Sequence, residues 1–227
     1  MSNIKELISQ LPDAEYVLKR AGKIASENNK QIYLVGGFVR DLFIQNKPVE
    51  LDLMIIGDGI EFAELLAKDL KVKKIVPFKQ FSTAKIPYNK IDIEVAAARI
   101  EKYDNNSRKP KEVIYTDLKG DLIRRDFTIN SMAVDLLPQN YGELYDPYSG
   151  ILDLQSKKII TPLDPDDTFS EDPLRMLRAA YFASKFNFDI DKDCYNSIVR
   201  QKERISIVSQ ERITAELCKV LSSPTPS

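Results

Sequence analysis

The pattern of apolar and polar residues divides the chain into a mixed first part and a helical second part. Apolar residues recur at helical spacing along residues 13–29 and 60–70, which predicts two amphipathic helices. Short apolar runs predict strands at 32–35, 50–52, 73–76, 83–87, 91–97 and 134–136, with a hairpin turn at Asn89–Lys90. After a turn at 161–165 the chain reads as helices only, including 191–203 and 209–221. We therefore predict an α+β fold, with an α/β part to about residue 150 and a helical part over 151–227.

Composition narrows the chemistry that this fold can carry. The 227 residues include 30% charged and 43% hydrophobic residues, and the net charge is −1, so a nucleic-acid partner has to be bound by local basic patches. Two cysteines without metal-ligand spacing, and no apolar run of membrane-spanning length, predict a cytoplasmic protein in a reducing compartment. Since histidine is absent, catalysis has to depend on carboxylates, metal ions and positive charge.

The first candidate site lies between the strand at 32–35 and the next acidic strand. Gly36 and Gly37 form a turn whose backbone N–H groups can approach a phosphate, and the following helix start, which carries Arg40, adds further donors. Glu50 and Asp52 are two apart on a strand and therefore point to the same face. Mg²⁺ binds to such carboxylates together with substrate phosphates. A phosphate turn beside two carboxylates predicts a nucleotidyl transfer centre, although each motif alone is more often a turn or a solvated strand face.

The sequence LVGGFVRD followed by the acidic segment ELDL resembles the class II tRNA nucleotidyltransferases and bacterial poly(A) polymerases. This resemblance implies a DNA polymerase β-type nucleotidyltransferase head at residues 1–150 and an all-helical neck at 151–227. It also implies that Glu94, which begins the run EVAAARIEKY, is a third active-site carboxylate beside Glu50 and Asp52. Asp92, on the same strand, is expected to face solvent or to lie behind the site. The polar residues 104–116 lack a period and are expected to form a mobile loop.

A second cluster lies in DLIRRDFTINSMA, residues 121–133. The planar guanidinium of arginine suits phosphate or ribose contacts, and an adjacent carboxylate can hold it in place. The segment is similar to the family signature RRDFTINAMA. The resemblance therefore implies nucleotide-binding roles here, for Arg124, Arg125, Asp126 and Asn130.

A third cluster lies in SEDPLRMLRA, residues 170–179. Asp172 before Pro173 is a good helix N-cap, and Arg175 and Arg178 share a helix face, so a capped amphipathic helix with a local ion pair explains the segment by itself. In the family that the chain resembles, this stretch reads the Watson–Crick edge of the incoming base. The resemblance implies this role for Asp172 and Arg175, with Arg178 also in the nucleotide site. The later QERITAEL segment resembles the helix that braces it.

The expected function is metal-dependent, template-independent addition of CMP and/or AMP from CTP and ATP to the 3′ end of tRNA, with Mg²⁺ or Mn²⁺ at Glu50 and Asp52. A poly(A) polymerase, a CC-adding or an A-adding enzyme remains an alternative, as does a non-catalytic nucleotide- or RNA-binding relic. Two departures from the family pattern favour the relic: Glu50 stands where the family has Asp, and Tyr181 where it usually has Arg. The helical body and tail of the family are missing, so the chain is either a fragment of a longer protein or a minimal form, and its Pro-Thr-Pro-Ser ending favours a fragment.

Overall fold

The computed structural model of the chain describes residues 3–44, 46, 50–89, 91–104 and 107–225. Within these ranges the helices are α1 (Lys5–Ser9), α2 (Pro12–Glu27), α3 (Gly37–Phe43), α4 (Gly59–Asp69), α5 (Leu118–Ile123), α6 (Gly150–Gln155), α7 (Pro165–Glu171), α8 (Leu174–Phe186), α9 (Lys192–Gln201) and α10 (Gln210–Leu221). The strands are β1 (Ile32–Val35), β2 (Glu50–Ile55), β3 (Val76–Phe78), β4 (Thr83–Tyr88), β5 (Ile91–Ala97), β6 (Arg99–Asp104), β7 (Ser107–Tyr115), β8 (Ala133–Asp135), β9 (Leu144–Tyr145), β10 (Lys158–Ile159) and β11 (Asp189–Ile190). No helix in the described ranges is both long and apolar enough to cross a lipid bilayer.

The chain forms two compact units. The first contains residues 1–100, 114–122 and 130–147, and the second contains 101–113, 123–129 and 148–227. Residues 101–113 and 123–129, which precede residue 150, thus belong to the second unit. The functional division into a head and a neck at residue 150 stays a prediction.

A seven-stranded mixed sheet is the centre of the first unit, in the order β3-β4-β5-β2-β1-β8-β9. The only parallel pair among these described strands is β2 with β5, and the other neighbours are antiparallel. Helix α4 packs against α2 and against β4 and β5. Its N-cap, Asp58, accepts hydrogen bonds from the N–H groups of Ile60 and Glu61, as the capping preference of aspartate predicts.

Several predicted elements of the first unit are confirmed with small shifts. The helix predicted at 13–29 is α2, and Val17, Ala21, Ile24 and Ala25 are buried. The helix predicted at 60–70 is α4, and the strand predicted at 91–97 is β5. The hairpin prediction is confirmed by the antiparallel pairing of β4 with β5 through Tyr88 and Ile91, while Lys90 itself lies outside the described residues.

Three predictions about secondary structure are wrong. The strand predicted at 73–76 lies at Val76–Phe78 instead, because only these residues pair with β4. The segment 104–116, predicted as a loop, contains strand β7, which pairs with β6 in a separate two-stranded sheet. Residues 165–225 are not helices only, since Asp189–Ile190 pairs in parallel with Lys158–Ile159.

The second unit contains helices α6 to α10, the segment 123–129, residues 101–113 and the short strands β10 and β11. Helix α8 packs against α7 and α10, and α7 packs against α9. The buried side of α8 includes Leu174, Ala179 and Phe182, and Phe182 meets Phe127 edge to face at 5.8 Å between ring centroids. Leu177 and Tyr181 of the same helix are only half-buried. Packing of Phe127 on α8 thus anchors the segment 123–129 within this unit.

Candidate active site

Three of the predicted site carboxylates lie on one face of the sheet. On β2, the fully buried Leu51 and nearly fully buried Leu53 alternate with Glu50 and Asp52, so both carboxylates point away from the core. In the parallel pairing of β2 with β5, Asp52 is directly opposite Glu94, and Glu50 is opposite Asp92. Since residues opposite each other on neighbouring strands project to the same face, Glu50, Asp52 and Glu94 share one surface. Asp92 lies on that surface as well and is exposed.

Lys85 of β4 extends over these carboxylates. It is opposite Glu94 in the antiparallel pairing of β4 with β5. Its Nζ lies 2.7 Å from Glu50 Oε1 and 3.4 Å from Glu94 Oε2. The hydrogen bond to Glu50 raises the pKa of Lys85 above its ordinary value, so the ammonium stays charged at neutral pH. One cation is therefore shared by carboxylates from two strands.

The donor set on this face suits a hard divalent cation. Carboxylate oxygens are the ligands that Mg²⁺ and Mn²⁺ prefer, and the shared ammonium of Lys85 shows that positive charge fits between Glu50 and Glu94. Within the described ranges, no three Asp, Glu or Cys side chains are yet gathered closely enough to hold a metal ion. The carboxylates therefore fit a divalent metal by their chemistry and by the register of β2 and β5.

The glycine turn lies at the end of β1. Gly36 has φ of 70° and ψ of −137°, a backbone conformation that residues with a Cβ rarely adopt. At Gly37, a Cβ would lie 3.3 Å from Nη2 of Arg40, so glycine leaves room for this guanidinium.

The structure buries Arg40 instead of presenting it on the surface. The residue is 5% exposed, its Nε donates to Asp41 Oδ1 at 2.8 Å, and its Nη1 donates to Asn130 Oδ1 at 2.6 Å. These contacts connect the helix after the turn with Asn130, so two predicted nucleotide-binding residues, Arg40 and Asn130, do lie together. This geometry suits a residue that supports the Gly36–Gly37 turn.

In the second unit, Asp126 pairs with Arg178. Nε and Nη2 of Arg178 both donate to Oδ2 of Asp126, at 2.8 and 2.5 Å, while Oδ1 accepts the backbone N–H of Phe127 at 2.8 Å. The negative charge of Asp126 raises the pKa of Arg178. Nη1 of Arg178 lies 3.8 Å from Glu216 of α10, and its guanidinium stacks over Phe182 at 5.2 Å. The pair therefore connects the Arg124–Asp126 motif with α8 and α10.

Arg175 is buried beside the same motif. It is 9% exposed, its Nη2 donates to the carbonyl of Arg124 at 2.7 Å, and its Nη1 donates to the carbonyl of Thr168 at 3.2 Å. Oδ1 of Asp172 accepts the N–H of Leu174, the first residue of α8, at 3.1 Å. Asp172 thus makes the expected capping contact, while Pro173 is the residue directly before the helix. The structure thus brings Asp172, Arg175 and the backbone of Arg124 together, and leaves the side chains of Arg124 and Arg125 half-buried.

Two contributors to these clusters were missed by reasoning from the sequence. The position of Lys85 follows from the hairpin, because the pairing of Tyr88 with Ile91 also places residue 85 opposite residue 94. This register could have been read from the predicted turn. Glu216, only 5% exposed, carries no such signal, because its approach to Arg178 depends on how α8 and α10 pack.

A mixed sheet that presents carboxylates from adjacent strands, beside a strand–glycine turn–helix unit, defines the class of nucleotidyltransferase heads. Residues 32–160 match the model of the poly A polymerase head domain, and residues 187–227 match the model described as the probable RNA and SrmB-binding site of polymerase A. The chain belongs to this poly A polymerase and class II CCA-adding enzyme family, which confirms the resemblance and the predicted fold class.

The chain is similar to several curated relatives and solved structures. It is 33% identical over 207 residues to an A-adding tRNA nucleotidyltransferase of Halalkalibacterium halodurans, covering 88% of this chain and 47% of the relative. It is 33% identical over 218 residues to a CCA-adding enzyme of Bacillus velezensis, covering 96% and 51%. An apo CCA-adding enzyme structure matches with a TM-score of 0.89 at 32% identity, over 99% of this chain and 53% of that one. The Thermotoga maritima CCA-adding enzyme complexed with tRNA matches with a TM-score of 0.85 at 30% identity, over 99% and 52%. The chain thus spans about half the length of these proteins.

Proposed function

We propose that the chain is the catalytic portion of a template-independent nucleotidyltransferase that adds CMP and/or AMP from CTP and ATP to the 3′ end of tRNA. The observation that carries the proposal is the strand register that places Asp52 opposite Glu94, with Glu50 on the same face. Similarity to A-adding and CCA-adding enzymes, one of them complexed with tRNA, supports this substrate class.

In the proposed reaction, the 3′-hydroxyl of the RNA gives up its proton to solvent and its oxygen forms a bond to the α-phosphorus of the nucleotide, while the bond from that phosphorus to the leaving pyrophosphate breaks. Glu50, Asp52 and Glu94 would hold Mg²⁺ or Mn²⁺. When bound, the metal supplies neutralising charge at the triphosphate and lowers the pKa of the 3′-hydroxyl. The backbone N–H of Gly37 binds a phosphate oxygen, since that of Gly36 donates to the Met132 carbonyl, and Arg40 with Asn130 keeps the turn in place.

Selection of the base is assigned to the second unit. Asp172 accepts from an exocyclic amine, and Arg175 donates to the ring nitrogen and carbonyl of cytosine or to a ring nitrogen of adenine. It uses the N–H donors left over from its bonds to Thr168, Glu171 and Arg124. Arg124 and Arg125 contribute positive charge toward the nucleotide. The pair of Asp126 with Arg178 positions this motif on α8.

The decisive test is incorporation by an Asp52→Ala variant on tRNA that lacks its 3′ end. We expect incorporation to be abolished while the thermal unfolding curve is retained, because removing one of several adjacent carboxylates relieves repulsion. Glu64→Ala, which removes an exposed carboxylate from α4, serves as the matched control and should incorporate at the native rate. An active Asp52→Ala protein refutes the metal-site assignment.

A poly(A) polymerase of the same family is the second candidate, because the matching family model describes a poly A polymerase head. Product analysis with CTP and ATP, singly and together, separates the two activities. A ladder of A residues on any RNA indicates poly(A) synthesis, and additions that stop at CCA, CC or A on tRNA identify the corresponding transferase. Nucleotide binding without incorporation would identify the non-catalytic relic.

A further inference from the structure

The ammonium of Lys85 lies between Glu50 and Glu94, two of the carboxylates proposed to hold the metal. Neighbouring strands lie about 4.8 Å apart, so the line of β4 is roughly 10 Å from the line of β2. The long side chain of Lys85 crosses over β5 and reaches Glu50 on β2, at 2.7 Å. On the way it passes Glu94, at 3.4 Å. Its charge therefore lies between two strands that both carry predicted metal ligands.

The contact of Lys85 with Glu50 and Glu94 depends on the register of β4 and is open to solvent. Lys85 is the residue of β4 opposite Glu94, and its side chain is 40% exposed, while Glu50 and Glu94 are 45% and 35% exposed. Solvent can reach all three groups, so the ammonium can leave without unfolding the strand. An ordinary surface ion pair joins two charges, whereas here one cation lies between two ligands of the same proposed metal.

We propose that Lys85 is a tethered counter-ion that competes with the divalent metal for Glu50 and Glu94, and so sets the metal concentration at which the site fills. This inference rests on the proposed function. In the metal-free protein Lys85 neutralises the carboxylates and keeps them from repelling each other. On metal binding it swings away, and the loss of its two ion pairs weakens the apparent affinity for the metal.

The test measures Mn²⁺ binding to the 227-residue protein without nucleotide, by the loss of the free-ion electron paramagnetic resonance signal. Lys85→Met removes the charge and keeps the length of the side chain, and we expect it to bind Mn²⁺ about three- to tenfold tighter, since two exposed ion pairs no longer compete. Lys85→Arg keeps the charge and should bind as the native protein does. Lys79→Met removes an exposed lysine beside the same sheet edge and should change affinity by less than about twofold, because exposed charges are screened over distance.

Asp52→Ala separates failure of this inference from failure of the proposed function. If Asp52→Ala and the native protein bind Mn²⁺ equally, the metal site itself is refuted. If Asp52→Ala loses binding but Lys85→Met binds no tighter than Lys79→Met, the competing role of Lys85 is refuted and the metal site stands. Thermal unfolding of each variant shows that a change in affinity does not come from loss of the fold.

Discussion

The ion pair of Asp126 with Arg178 connects the Arg124–Asp126 motif to α8, and its contribution to stability can be measured. Asp126→Asn keeps the size of the side chain and removes its charge. If the amide oxygen continues to accept the N–H of Phe127, the NH₂ group faces the guanidinium of Arg178, and a donor then meets a donor. Asp126→Asn is therefore expected to cost more than the deletion of one hydrogen bond.

The magnitude follows from burial. Removing one partner of a fully buried ion pair costs about 3–5 kcal/mol. Here the Asp126 side chain is 9% exposed but that of Arg178 is 33% exposed, and Glu216 remains near the guanidinium at 3.8 Å. We therefore expect Asp126→Asn to lower the free energy of unfolding by about 2 kcal/mol, and a double-mutant cycle with Arg178→Met to give a coupling energy of about 1–2 kcal/mol.

The assay is urea unfolding followed by circular dichroism at 222 nm, with hydrogen exchange of the α8 amides to assign the transition to the second unit. A control cycle combines Asp126→Asn with Arg200→Met, because Arg200 binds Asp166 instead. This control should be additive. A coupling below about 0.5 kcal/mol for Asp126 with Arg178 would refute the structural role assigned to the pair, and Arg178 would then be available as a nucleotide ligand.

Three further predictions test other parts of the chain. Glu50→Asp is expected to raise Mg²⁺-supported incorporation by up to about a hundredfold, because the extra methylene of Glu50 displaces its carboxylate by roughly 1.5 Å. For the same reason Mn²⁺ should rescue incorporation by the native protein. An unchanged or lower rate of Glu50→Asp shows a site built around glutamate. Arg175→Ala should lower the free energy of unfolding by about 2 kcal/mol and increase incorporation from GTP and UTP, and unchanged base choice would place selection elsewhere. The hydrogen bond from Arg20 lowers the pKa of Asp69 in the folded protein. Ionised Asp69 therefore stabilises the folded state above the ordinary carboxyl pKa of about 3.9, and this stabilisation is lost as the pH falls through the lower pKa of the folded state. Urea midpoints of native protein and Asp69→Asn should therefore differ at pH 6 and converge toward pH 3.

Elements that bury one face were predictable from the sequence. Strand β5 shows the reason, because Ile93 and Val95 are fully buried and alternate with Asp92 and Glu94. Strand β7 shows the opposite case. Its sequence SRKPKEVIY has polar residues at most positions and a proline, so no period marks it, and its pairing with β6 is not visible in local sequence. The two-residue strands β10 and β11 are likewise too short to carry a pattern.

The site was predictable in its residue types more than in its contacts. Spacing alone placed Glu50 and Asp52 on one face, and the register of the sheet adds Glu94. The burial of Arg40 and Arg175 was not predictable, since arginines in a glycine-turn motif and on a capped helix are expected at the surface. Both guanidiniums instead donate to protein oxygens far away in sequence, Asn130 in one case and the Arg124 carbonyl in the other.

The two outer strands of the seven-stranded sheet, β3 and β9, affect whether two copies of the protein can pair through their sheet edges. An unpaired strand edge is a template on which another chain can add a strand. Here one outer strand, β3, has three residues that include Pro77, which has no N–H to donate, and the exposed lysines 73, 74 and 79 flank it. The other outer strand, β9, has two residues. The exposed Val76 and Phe78 are therefore unsuited to edge-to-edge pairing, because a docking strand would gain few hydrogen bonds and would bring its own lysines against these. Among the described residues, both outer strands are therefore short, and β3 is flanked by lysines, so neither edge favours pairing with another copy of the protein.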